Sequence, residues 1–275
     1  MAKTASPGDK LAIATWNINS VRLRIGNVRR FLQRFSPDVL CLQEIKATDQ
    51  DFPGARFIDM GYPHLAVRGE KGYNGVAVVS RVPIENMRFE NWVEKVDRRH
   101  VTVDLPGGIE LHNFYVPAGG DVPDIAANPK FEHKLKFLDE MARWFAGRRD
   151  DTAKRVLVGD LNVAPLETDV WSHKSLLKVV SHTPVEVDLM NKLMASHDWV
   201  DAVRHFVPAS EKLYTWWSYR SPDWDKADKG RRLDHVWVTP ALKPRLKSAQ
   251  VVRPARGWQT ASDHAPVIVT IDVPS

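Results

Sequence analysis

"RVLVGDLNVAP" (residues 155–165) is the stretch on which the reading of this chain turns. Arg155 to Val158 form a short aliphatic run of the kind buried on both faces of a sheet. The run stops abruptly in Gly-Asp-x-Asn, and a proline closes the turn. Gly159 is read as the point where the chain turns sharply. Asp160 and Asn162 are then left just beyond the carboxyl end of a strand, where open α/β sheets place ligands. Asp and Asn are also ordinary turn residues, because they hydrogen-bond their own backbone. A site is therefore expected here only if other strands end in the same way.

Several do. Asn17 and Asn19 follow "LAIATW", Glu44 follows "VLCLQ", and Tyr115 closes "ELHNFY". Asp234 lies within "RRLDHVWV", and Asp263-His264 precede "APVIV". Carboxylates, amides and one imidazole at strand ends suit a hard divalent cation, which takes oxygen ligands and leaves room for phosphate and water. A carboxylate can activate water, and a His held by an Asp can stabilise charge on a phosphate oxygen. The chain has no HExxH or CxxC zinc spacing, no phosphate-binding GxxxxGK[ST] loop and no GxSxG elbow.

Between these ends, strand-like and helix-like patterns alternate. Val21, Ile25, Val28 and Leu32 recur at helical spacing, and so do Phe131, Leu135, Leu138, Met141 and Phe145 within 129–149. "HLAVRG" and "NGVAVVSR" suggest an antiparallel pair, and "HVTVDLPGGIELHNFYVP" a hairpin. Residues 187–206 are predicted as one or two helices, and 163–187 and 207–230 as loop-rich insertions. Hairpins mixed with αβ alternation imply an α/β sandwich rather than a purely parallel sheet. Residues 1–9 are expected to be a flexible tail and 10–275 a single domain.

Composition sets the outer limits. A chain of 275 residues with 43% hydrophobic content can bury a large core. Its 39 Lys+Arg against 34 Asp+Glu give a net charge of +5, which suits a polyanionic partner without requiring one. The lone Cys41 excludes an intramolecular disulfide and suits a reducing compartment. No stretch approaches the ~18 apolar residues of a membrane span, and the first ten residues lack a signal-peptide core. A cytoplasmic monomer with no membrane role is expected, nucleoid-associated if bacterial.

The motifs "TWNINSVR", "LCLQEIK", "GYNGVAVVSR", "GDLNVAP", "YTWWSYRS", "RRLDHVWVT" and "SDHAPV" occur in the order and approximate spacing of the exonuclease III family of DNA-repair nucleases. The chain resembles that family over nearly its whole length. The resemblance implies a four-layered α/β sandwich of two mixed sheets with helices outside. It also implies Mg²⁺-dependent phosphodiester hydrolysis on duplex DNA, with Mn²⁺ as a substitute, incision 5′ to abasic sites and processing of 3′ ends. Carried over by position, Glu44 is the principal metal ligand, assisted by Asn19 or Asp263, with Lys46 tuning the carboxylates. Asn17 orients its neighbours, Asp160 deprotonates the attacking water, and Asn162 bonds the scissile phosphate. His264, paired with Asp234, stabilises charge on the phosphoryl oxygens, while Tyr115 contacts the phosphate or helps the leaving oxygen.

DNA contacts are expected from Arg68, Tyr73 and Asn74 around a hairpin resembling the family's minor-groove loop, and from Arg99 and Arg220. Trp216 and Leu233 are read as pocket walls. Arg231 stands where some members of the family have an apolar residue. Its side chain either swings out to a phosphate or lies along the wall and keeps the pocket closed. His182 is considered for the same region. Rival readings are a dedicated 3′-end enzyme, a phosphatase for inositol phosphates or a sphingomyelinase of the same superfamily, and a catalytically silent DNA-binding module. The last is disfavoured because Glu44, Asp160 and His264 are all present.

Overall fold

A computed structural model describes residues 10–273, so the expected tail at 1–9 lies outside the described residues. Two six-stranded mixed sheets pack face to face. In space the first runs Leu246–Val251, Val267–Asp272, Lys10–Asn17, Val39–Gln43, Val76–Ser80, His64–Arg68. The second runs Glu85–Arg88, His100–Leu105, Ile109–Tyr115, Arg155–Asp160, Asp234–Val238, Val200–Asp201. Each sheet has one parallel pair near its centre, Lys10–Asn17 with Val39–Gln43 and Ile109–Tyr115 with Arg155–Asp160. Parallel strands end on the same edge, and this is why the polar residues that follow them gather there.

The two-residue alternation of strand side chains builds the layers. Leu11 and Ile13 join Val39, Cys41, Val156, Val158 and Val236 in a core between the sheets. Their neighbours Ala14 and Trp16 face the other way, onto helix Ile25–Phe35, through Val28, Phe31 and Leu32. On the opposite side, Phe114, Leu157 and Trp237 meet Phe137, Leu138, Met141 and Phe145 of helix Pro129–Ala146. Helix, sheet, sheet, helix is the four-layered sandwich that the motifs implied. Cys41 is buried within it, and its thiol pKa is pushed far up by burial, so it is inert.

Gly159 corrects the reading of the opening stretch. It lies inside strand Arg155–Asp160, at φ +142°, and a Cβ there would overlap the carbonyl of Phe114 on the adjacent strand. Close backbone approach, not a turn, requires this glycine. The turn comes at Asn162, at φ +54°. Two further differences concern helices. Within 187–206, a helix ends at Ala195 and the chain pairs as strand Val200–Asp201. On helix Pro129–Ala146 Lys134 is fully buried along with Phe137 and Leu138, whereas Leu135 is only half-buried.

Candidate active site

The edge where the parallel strands end forms the floor of a cleft of about 780 Å³. Register sets its spacing. Tyr115 pairs with Asp160 across the parallel strands, and Asp160 pairs with Asp234, the first residue of the antiparallel neighbour. Asn17 ends its strand opposite Gln43, so Glu44 comes next on the same edge. Glu44, Lys46, Asn19 and Asn162 all take left-handed backbone, with φ between 46° and 54°. Strained non-glycine residues of this kind persist where the surrounding structure over-determines them, which is common at functional sites.

Asn17 is the hinge between the two sheets' carboxylates. Its amide donates to Glu44 Oε1 and to Asp160 Oδ2, both at 2.9 Å. Tyr115 OH donates to the same Glu44 oxygen at 2.8 Å, and Lys46 Nζ lies 2.9 Å from the other. Lys46 also donates to Asn19 Oδ1 at 2.7 Å, and Asn19 donates to Asp263 Oδ1 at 3.2 Å. Trp216 Nε1 donates to Asp263 Oδ2 at 2.9 Å. Glu44, Asn19 and Asp263 therefore form one contiguous group of oxygen donors beside Asp160.

On the other side of Asp160, His264 Nδ1 bonds Asp234 Oδ2 at 2.8 Å, and His264 Nε2 stands 3.7 Å from Asp160 Oδ2. Burial opposes a charge on His264, but the Asp234 and Asp160 carboxylates outweigh it and raise its pKa to about 10. The imidazole is thus a cation at neutral pH. Burial raises Asp160 to about 7, partly offset by His264 and by the Asn17 amide. Glu44 is also buried enough to resist ionisation, yet the Asn17 amide, Lys46 and Tyr115 hold it below its usual range. The Tyr115 hydroxyl is raised well above 10 by burial and by both carboxylates, so it acts only as a donor.

Asp160, Asp234 and His264 also lie close enough together to suggest a metal triad. His264 Nδ1 is already bonded to Asp234 Oδ2 at 2.8 Å, however, so both of those groups are engaged with each other. The oxygen set of Glu44, Asn19 and Asp263 fits a hard divalent cation better.

Every residue expected in the hydrolytic core is brought to this floor. Asn162 donates an amide hydrogen to Val116 O at 2.8 Å and lines the cleft. The DNA-facing expectations fare unevenly. Arg68 is 2% exposed. It donates to Glu90 O and His100 O, bonds Asn91 Oδ1, and stacks on Phe89, so it serves the fold and offers nothing to a ligand. Asn74 is buried and donates to Glu70 and to Asp97 O. Arg99 is half-buried, bonds Asp97 and Tyr115 O, and lies 4.8 Å from the Tyr115 ring, propping that side chain. Tyr73 and Arg220 are exposed, Tyr73 beside a second hollow of about 610 Å³ that continues past Tyr115.

Trp216, Leu233 and Arg231 line the cleft as expected. Arg231 lies along the wall: its Nη1 donates to Val180 O at 3.0 Å and Ser181 Oγ at 2.9 Å, 5.2 Å from the Trp216 ring centre. His182 is buried, bonded to Ala164 O and His173, and is not a cleft residue.

Sequence reading missed the polar clasp beneath the floor. Gln43 donates to Thr15 Oγ1 and Asn113 Oδ1, at 2.9 and 2.7 Å, while Asn113 donates to Leu42 O and Ala77 O across the sheets. Buried Asn and Gln in otherwise aliphatic strands were the available signal, since such groups need partners.

The chain matches the Endonuclease/Exonuclease/phosphatase family over residues 14–264. It is 28% identical to an exodeoxyribonuclease III of Haemophilus influenzae, covering 92% of this chain and 97% of that one. Among solved structures it is similar to an AP endonuclease from Archaeoglobus fulgidus, with a TM-score of 0.89 and 32% identity over 96% of this chain and all of the other. It is also similar to the 3′ phosphatase NExo from Neisseria bound to product DNA hairpin, with a TM-score of 0.87 and 31% identity over 95% of this chain and 99% of the other.

Proposed function

The chain belongs to the endonuclease/exonuclease/phosphatase family, and from that premise we propose that it is a DNA-repair nuclease hydrolysing phosphodiesters of duplex DNA. Its reactions are incision 5′ to abasic sites, as in base excision repair, and removal of nucleotides or blocking groups from 3′ ends. The observation that carries this reading is the placing of Asp160, held by the Asn17 amide, 3.7 Å from His264 Nε2, with His264 itself fixed by Asp234, on one cleft floor.

Water held at Asp160 attacks phosphorus and passes its proton to the carboxylate, the bond from phosphorus to the 3′ oxygen breaks, and the leaving oxygen takes up a proton from solvent water. The His264 cation, fixed by Asp234, and the Asn162 amide face the charge that builds on the phosphoryl oxygens. Asn17 keeps Asp160 oriented, and Tyr115 holds Glu44. Glu44, with Asn19 or Asp263, would hold the cation, which we take to be Mg²⁺ with Mn²⁺ as a substitute. When bound it supplies Lewis-acid charge to the phosphate. The described residues 10–273 are taken as one domain, since the first sheet combines strands Lys10–Asn17 and Val267–Asp272. We take the protein to act in the cytoplasm, which the free buried Cys41 suits, and as a monomer, which a site network built within one chain allows. No helix among the described residues is long and apolar enough to cross a membrane.

Cleavage of an internal abasic duplex, a recessed 3′ end and an inositol phosphate panel, each with and without EDTA, tests the reading. Metal-dependent cutting of both DNA substrates is expected. Hydrolysis of inositol phosphates alone would overturn it, and so would DNA cutting that survives excess EDTA. A dedicated 3′-end enzyme is the second reading, favoured by Arg231 filling one wall of the pocket.

A further inference from the structure

Behind the floor lies a buried charge pair that the hydrolytic scheme does not use. Lys134 is fully buried in helix Pro129–Ala146, and Glu186 is fully buried in the first turn of helix Pro184–Ala195. Lys134 Nζ meets Glu186 Oε1 at 2.5 Å, Asn162 O at 2.7 Å and Ala118 O at 3.3 Å. An ammonium has three donors, and here they go to three separate segments. Ala118 and Asn162 both line the cleft.

Glu186 reaches the opposite wall. Its oxygens each accept from Ser181 N at 2.9 Å, and one accepts from Thr183 N and Oγ1 at 3.1 and 2.7 Å. Ser181 Oγ is in turn the acceptor for Arg231. Gly119 sits where the two halves meet: at φ +87°, an added Cβ would lie 2.8 Å from Lys134 Cδ and 3.1 Å from Val180 Cγ1. An apolar pair of similar volume would join the two helices at least as well as a buried ion pair. What apolar side chains could not do is hold two cleft carbonyls and one cleft amide at once.

We propose that Lys134 and Glu186 are a positioning pair that fixes the Asn162 loop against the Val180–Ser181 wall, so that phosphate placement and pocket shape are set by one rigid unit. The kinetic part rests on the nuclease reading; the structural part does not. Lys134→Met and Glu186→Gln each leave a charge unpaired in the core and are expected to lower stability. The double variant, Lys134→Met with Glu186→Gln, removes both charges of the pair and decides the matter.

Two readouts on the full chain are needed. In hydrogen exchange, the double variant should open segments 117–120, 161–164 and 180–183 together. Unchanged protection of 161–164 would overturn the proposal, whatever reaction the protein catalyses. In kinetics on an abasic duplex, kcat should fall on the order of 10²-fold, with far less additional loss when Asn162 is already Ala. Losses that multiply in the Asn162→Ala background, or a lowered melting temperature with kcat per folded molecule unchanged, would reduce the pair to a structural one. A wild type that cuts no DNA would contradict the nuclease reading and leave the exchange result to judge the pair.

Discussion

The floor of the cleft and its rim are built by different means. Floor residues sit at or next to strand ends in both sheets, and register places them: Tyr115 beside Asp160, Asp160 beside Asp234. Rim residues come from segments between strands or from two-residue strands, such as Tyr73, Trp216 and Arg231, and depend on contacts made far away in the chain. The floor is a dense network in which Asn17, Tyr115 and Lys46 hold the Glu44 carboxylate and Asp234 holds the His264 imidazole. At the rim, Arg231 stacks near Trp216 and bonds a loop carbonyl. Chemistry is thus assigned to the floor and choice of substrate to the rim, and substitutions should separate the two.

The largest effect is expected at Asp160. Asp160→Asn is nearly isosteric, so the fold and DNA binding should hold while kcat falls on the order of 10²–10⁴-fold. His264→Ala follows, with a loss on the order of 10²–10³-fold, measured by single-turnover cleavage. A His264→Ala enzyme within a few-fold of wild type would make the Asp234 pair structural. Next is Glu44→Gln, expected to raise the metal concentration needed for half-maximal rate and to cost about 10- to 100-fold. An unaltered metal titration would remove Glu44 from the ligand set.

The pH profile sharpens the same division. Asp160 must be ionised to take a proton, so kcat/KM should rise through about pH 7. His264 must be protonated to face phosphate charge, so the rate should fall as pH approaches about 10. A bound cation next to Asp160 favours its ionised form and moves the acid limb lower, and Asp160→Asn should flatten that limb. A profile without an acid limb in wild type at low metal would contradict the base assignment.

The smallest effect is expected at the rim. Arg231→Trp gives up the bonds to Val180 and Ser181 and restores an apolar wall, which should shift preference toward the abasic duplex by about 10-fold or less.

The same contrast explains how far the sequence could be read. Aliphatic runs ending in Asn17, Glu44 and Asp160, and one beginning at Asp234, announce both the strands and the shared edge, because burial and turn chemistry act locally. Register then follows from alternation, so the floor was legible. Arg68 was not: a Lys/Arg cluster reads the same whether it faces DNA or, as here, turns inward to carbonyls of a neighbouring strand and loop. Lys134 was missed for a related reason. It occupies the apolar spacing of its helix, between Phe131 and Leu138, and only Glu186 on a distant helix makes burial of its charge tolerable. Glu186 itself sits three residues after Thr183, which is the pattern of a helix cap and gives no hint of a partner.

The division between floor and rim is tested most directly by one ratio: kcat/KM on an internal abasic duplex over kcat/KM on a recessed 3′ end. It should be measured for wild type, Asp160→Asn and Arg231→Trp. Asp160→Asn should lower both values by a common factor and leave the ratio unchanged, while Arg231→Trp should raise the ratio without a comparable loss of rate. A ratio altered by Asp160→Asn, or equal losses on both substrates with Arg231→Trp, would contradict that division.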